Sequence, residues 1–152
     1  MAGVAIGLAL FAGAAAAYAQ ALAGYWLEGV QGLPRLDLAE GGKRYLGGEK
    51  TGWWTVGILA HLCNGALLGL LYASAVYPWA AAGGAVPWRL LAGVGYGLGV
   101  WAIVLNLLVF PLAGAGIFGW RSGNPRLPLA TLLLHVIYGL VLGAIYHPAG
   151  PL

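Results

Sequence analysis

The chain has 152 residues, of which 61% are hydrophobic and only 7% are charged. Soluble domains carry roughly 25% charged residues, so a chain this apolar cannot cover itself for water, and lipid must be the solvent for most of it. A formal charge of +3 from seven scattered Lys and Arg leaves no nucleic-acid footprint, and the single cysteine, Cys63, excludes an intrachain disulfide or a Cys-based zinc knuckle.

A membrane-spanning helix needs about 20 mostly apolar residues. The first candidate runs from about Ala2 to Trp26. Ala17-Tyr18-Ala19 before Gln20 has the form of a signal cleavage site, but no Lys or Arg precedes the apolar run, so the segment is expected to stay as a span. A long first loop (27–54) carries Arg35, Lys43, Arg44 and Lys50 together with all four acids, Glu28, Asp37, Glu40 and Glu49. Within it, Pro34 is expected to open a short interfacial helix over Leu33 to Glu40, with Gly41-Gly42 as its stop. Docking of a partner is the alternative use of that stretch.

The next spans are expected at Thr55 to Tyr77, Leu90 to Phe118 and Leu127 to Tyr146. Trp26, Trp53, Trp54, Trp79, Trp88 and Trp120 sit at span ends, as interfacial aromatic rings do, and only Trp101 is mid-span. The third loop (119–127) holds Arg121 and Arg126, while Arg89 is the one basic residue on the other side. The excess of Lys and Arg therefore puts loops 27–54 and 119–127 in the cytoplasm and both termini outside.

The sequence also repeats itself. His61-x3-Gly65-x3-Gly69-x2-Tyr72 recurs 74 residues later as His135-x3-Gly139-x3-Gly143-x2-Tyr146. The partner spans align Gly3 and Gly7 with Gly93 and Gly97, at an offset of 90. The expected fold is an all-α membrane protein, one four-helix domain (1–152) built as a tandem duplication of a two-helix unit, repeat A 1–77 and repeat B 90–147. Two spans per repeat keep the orientation, so the repeats should be related by a twofold axis along the membrane normal. Gly65, Gly69, Gly139, Gly143, Gly93 and Gly97 form small-residue strips on which helices pack closely. Gly95, Gly99 and Asn106 make a second strip on the third span, which should then be the most enclosed helix.

No carboxylate lies inside a span, and Ser74 and Ser122 have no base at a useful spacing. No enzymatic activity is expected. Two intramembrane histidines remain, His61 and His135, at equivalent repeat positions. Facing histidines on two helices suit a b-type haem, with glycines one and two turns away leaving room for the ring. Metal binding or a proton relay is a further use. Against these stands plain polar packing, with the histidines in a cluster with Asn64, Asn106, Tyr138 and Thr131. Direct packing would fill the slot between the histidines with Leu68 and Leu142. His147 serves as an interface anchor only.

The run Trp101 to Gly119, with Pro111-Leu-Ala-Gly114-Ala-Gly116-Ile-Phe-Gly119, followed by the His135 to Tyr146 motif, resembles the DUF6789-type group of uncharacterised prokaryotic membrane proteins, distantly similar to the YagU-like inner-membrane proteins. The resemblance covers Leu33 to Tyr146 and implies a four-helix protein of the prokaryotic inner membrane. It implies no reaction. Where the YagU-like pattern tends to have a histidine this chain has Asn106, so no multi-histidine site is carried over. The expected role is a small accessory or assembly subunit of a larger membrane complex, such as a respiratory or other energy-transducing one. It would work without a cofactor, in contact with lipid and with other membrane subunits or copies of itself. The alternative is an electron carrier holding haem b between His61 and His135.

Overall fold

The computed structural model describes residues 5–27, 32–82 and 86–148, so Gly3 and Glu28 lie outside the described residues. In chain order the helices are α1 (Ile6–Trp26), α2 (Gly41–Leu46), α3 (Trp53–Ala80), α4 (Val86–Leu112) and α5 (Leu127–Ile145). All but α2 are long and apolar enough to cross a membrane. The protein is an all-helical, multi-pass membrane protein.

The spans pack in the order α3, α1, α5, α4, with α1 against both α3 and α5. Two helix pairs come closest, and small residues are the reason. In the first pair, Gly13 lies on the Gly65 carbonyl and Gly69, Gly65 on Ala17, and Gly69 on the Ala9 carbonyl. In the second, Gly93 lies on the Gly139 carbonyl and Gly143, Gly97 on the His135 carbonyl, and Gly143 on the Arg89 carbonyl. A Cβ added at any of these glycines would come within 3.0 Å of the facing helix.

The two sets of contacts correspond residue for residue, but not in the register expected for the first span. Ala9, Gly13 and Ala17 occupy the places of Arg89, Gly93 and Gly97, an offset of 80 and not 90. Gly7 is exposed, with nothing within 4 Å of a Cβ placed on it. The physical reason is that alanine is small enough for this crossing: Ala9, Ala12, Ala16 and Ala17 are all fully buried.

α4 departs most from expectation. It begins at Val86 and ends at Leu112, and it is the least buried span, not the most enclosed. Gly114 and Gly116 adopt positive φ and stop it short of Phe118, whose ring folds back to 5.5 Å from Trp101. From Val100 to Val109 it is wound as a π-helix. That winding turns fewer degrees per residue than an α-helix, so Asn106 rotates out of line with Gly95 and Gly99. Asn106 is fully buried, whereas nothing lies within 4 Å of a Cβ on Gly95 or Gly99.

The first loop is also different. Residues 33–37 are not helical, Leu38–Glu40 form one 3-10 turn, and Gly41-Gly42 open α2 where they were expected to end a helix. Asp37 caps the turn by accepting from the Ala39 N–H at 2.9 Å. Gly42 rests on the Trp53 carbonyl and Gly57 on the Ala39 carbonyl, an approach that larger residues would block. Loops one and three meet on one side of the bundle. Arg44 donates to the Ala113 carbonyl at 2.7 Å and Arg126 to the Gly32 carbonyl at 3.0 Å.

Candidate functional site

Away from those loops the bundle is filled by tyrosine. Tyr72, Tyr77 and Tyr146 stack edge to face, with centroids 4.8–6.4 Å apart, over Ala9, Ala12 and Leu142. Two more tyrosines close the level below: Tyr96 donates to the Leu68 carbonyl at 2.7 Å and Tyr138 to the Gly65 carbonyl at 2.9 Å.

Below this plug, α3 and α4 part, and a cavity of about 300 Å³ opens. All four spans contribute to it: Gln20 from α1, His61 and Asn64 from α3, Val104 and Leu105 from α4, and Thr131, His135 and Tyr138 from α5. Leu36 and Leu38 of the first loop floor it at the loop end. They are held there because the Leu36 N–H bonds the Gly24 carbonyl at 3.0 Å, and Leu33 is buried against Leu134 and Ala130. Asn64 and Val109 line the cavity yet are exposed, so it opens sideways between α3 and α4, within the span-length stretch of both helices.

The histidines face this space from equal depth. Each lies eight residues beyond the first residue of its helix, Trp53 or Leu127, or about 12 Å in at ~1.5 Å per residue. The imidazole of His61 is 3.1 Å from the Ala17 carbonyl through Nε2, and that of His135 is 2.8 Å from the Thr131 carbonyl through Nδ1. A carbonyl only accepts, so both of these nitrogens carry the proton. No acid lies in any span to pair with an imidazolium, and an unpaired charge there would be costly. Each therefore keeps one unprotonated nitrogen, and among the described residues nothing donates to it.

Two expectations are corrected here. The slot between the histidines is not filled: Leu68 lines the cavity, and Leu142 belongs to the tyrosine core. α1 packs against both α3 and α5, and Tyr138 of α5 reaches across to the Gly65 carbonyl of α3 one turn from each histidine. Nor do Asn64, Asn106 and Tyr138 form a polar cluster. Asn64 is exposed at the cavity mouth, Asn106 donates to the Trp101 carbonyl of its own helix at 2.7 Å, and Tyr138 bonds Gly65. Thr131 accepts from the Trp101 indole at 3.1 Å and donates within its own helix. Among the described residues no group of three or more His, Cys, Asp or Glu could hold a metal.

Gln20 was the residue that sequence reasoning passed over. It is only 5% exposed, lines the cavity, and forms no hydrogen bond with the described residues. An amide six residues inside a span was the available signal.

No protein-family model matches the chain, and no curated protein or solved structure is similar to it.

Proposed function

We propose that the protein is a small accessory subunit of a membrane complex whose working part is this cavity. It holds a small uncharged molecule drawn from the bilayer and makes or breaks no bond itself. The observation that carries this reading is the 300 Å³ space, lined by all four spans without a charged residue. Its volume lies at the lower end of the ~300–1,000 Å³ typical of small-molecule pockets. The outward strip of Gly95 and Gly99 on the least buried helix supports contact with another membrane subunit or a second copy. Along with this we propose membership of the DUF6789-type group in the prokaryotic inner membrane, and cytoplasmic placement of the first and third loops. An impermeant thiol reagent applied from outside should label a cysteine placed near Ala82 and spare one near Gly47.

The test is chemical. Protein purified with its surrounding lipid should release a small uncharged molecule in near-stoichiometric amount, identified by mass spectrometry. Val104→Phe, which fills the cavity, should lose it. The same extract from both proteins would refute the proposal.

A second reading is favoured by one observation. Each histidine donates one ring N–H to a backbone carbonyl and keeps the other nitrogen bare, the arrangement seen around metal-bound imidazoles. It supports haem b held by His61 and His135. The small volume argues for a lesser ligand, so the purified protein should be colourless. A Soret band that disappears in His61→Ala or His135→Ala would install the electron carrier instead.

A further inference from the structure

We infer that the molecule held in the cavity is a lipid with a hydroquinone head, recognised through its two hydroxyl groups, which donate to His61 and His135. This rests on the reading of the cavity as a ligand site and names the ligand's chemistry. The hydrogen bonds fix the polarity of recognition. The unused nitrogens of His61 and His135 can only accept, whichever way each ring is turned, because the nitrogen facing the carbonyl must keep the proton. The Tyr138 hydroxyl and the Thr131 hydroxyl are already committed to backbone carbonyls. Gln20, 95% buried and without a partner among the described residues, adds one amide that can both donate and accept. Gln20 and Asn64 could serve a carbonyl, but at the histidines the ligand must bring donors, and a head with carbonyls alone would set lone pair against lone pair at both rings.

Three further features narrow the class. With no charged side chain lining the cavity, an ionic head would be desolvated without compensation. The space is too small for a whole lipid but takes one substituted ring. The mouth between Asn64 and Val109 faces the bilayer, which lets an apolar tail run out among the acyl chains. Among uncharged donors, a phenolic O–H is the stronger acid and so the better partner for an imidazole nitrogen than an aliphatic alcohol.

The experiment compares four probes of one tail length on the full chain in lipid nanodiscs, under argon: a decyl hydroquinone, its oxidised quinone, its dimethyl ether and decanol. Binding is read by ligand-observed NMR and calorimetry. The hydroquinone should bind at least tenfold more tightly than each of the other three. His61→Phe and His135→Phe should each weaken it about tenfold and leave the ether unchanged. If either variant fails to fold, the wild-type series still decides. Equal binding of hydroquinone, quinone and ether would overturn the donor rule while leaving the cavity a ligand site. Decanol binding as tightly as the hydroquinone would overturn the aromatic head. No binding of any probe, with Val104→Phe indistinguishable from wild type, would overturn the ligand site itself.

Discussion

The two halves of this bundle use the same four helices and end differently. In the half away from the loops, tyrosines fill the space between helices brought together by Gly13, Gly69, Gly93 and Gly143. In the half next to the loops, α4 takes up its π-helical stretch, parts from α3, and leaves a cavity that both histidines line. Small residues fix where helices touch. They do not decide whether the space beside the contact is filled. Large side chains do that, and the wall that α4 gives the cavity is mostly aliphatic, Val100, Val104, Leu105 and Val109, with Phe110 at its loop end. α3 is π-helical too, over Tyr72–Val76 in the packed half, so this winding opens a space only where no large side chain follows it.

The sharpest way to break the comparison is to overfill the packed half. Gly69→Leu and Gly143→Leu put a branched side chain against facing backbone and should each cost about 3 kcal/mol, the upper end for overpacking. Reversible unfolding in detergent would measure it, with Gly95→Leu and Gly99→Leu as controls near zero because nothing lies within 4 Å of either position. If the outward pair proved the costly one, the assignment of inner and outer strips would fail. Filling should have the opposite sign in the open half. Val104→Phe is expected to raise stability by ~1 kcal/mol, as cavity-filling changes do, whereas Ala12→Phe, at a fully buried position, should destabilise.

A smaller effect is expected where the halves meet. Tyr138→Phe removes the donor to the Gly65 carbonyl and should cost about 0.6 kcal/mol, the usual worth of an interhelical hydrogen bond in a membrane. The smallest lies in the first loop, where Lys43 bonds Glu49 at 2.6 Å and Glu40 at 3.3 Å. Glu49 holds the Lys43 ammonium above its ordinary value, and Lys43 holds the Glu49 carboxyl below its own. The sign follows. The carboxylate's contribution is present above the usual Glu value of ~4.3 and is lost as pH falls through the lowered one. The ammonium's is present below ~10.4 and is lost as pH rises through the raised one. Between these limits loop protection in hydrogen exchange should be flat. It should fall on both sides, and Lys43→Gln should remove both falls.

How much of this the sequence disclosed depends on what each feature rests on. The four spans depend on length and hydropathy, and both are visible. The expected spans put His61 and His135 at similar depth, and the depths become equal because α3 begins at Trp53 and not at Thr55. The contact register of α1 was missed because a search for glycine overlooks alanine, and Ala9 and Ala17 serve at the crossing as well as glycine does. Asn106 was assigned to the wrong face because a helical wheel assumes 100° per residue, and α4 abandons that winding at Val100. The cavity was not legible at all. It is the space left when α1 stands between two histidine helices, and no local pattern records that arrangement.

The cavity lined by His61 and His135 is the proposed site for a molecule from the bilayer. The most direct test is an experimental structure of the protein extracted with its native lipid. Elongated non-protein density should lie beside the two imidazoles and leave the bundle between Asn64 and Val109. α3 and α4 closed on each other, with Val104 and Leu105 packed against His61 and no density beside the rings, would contradict it.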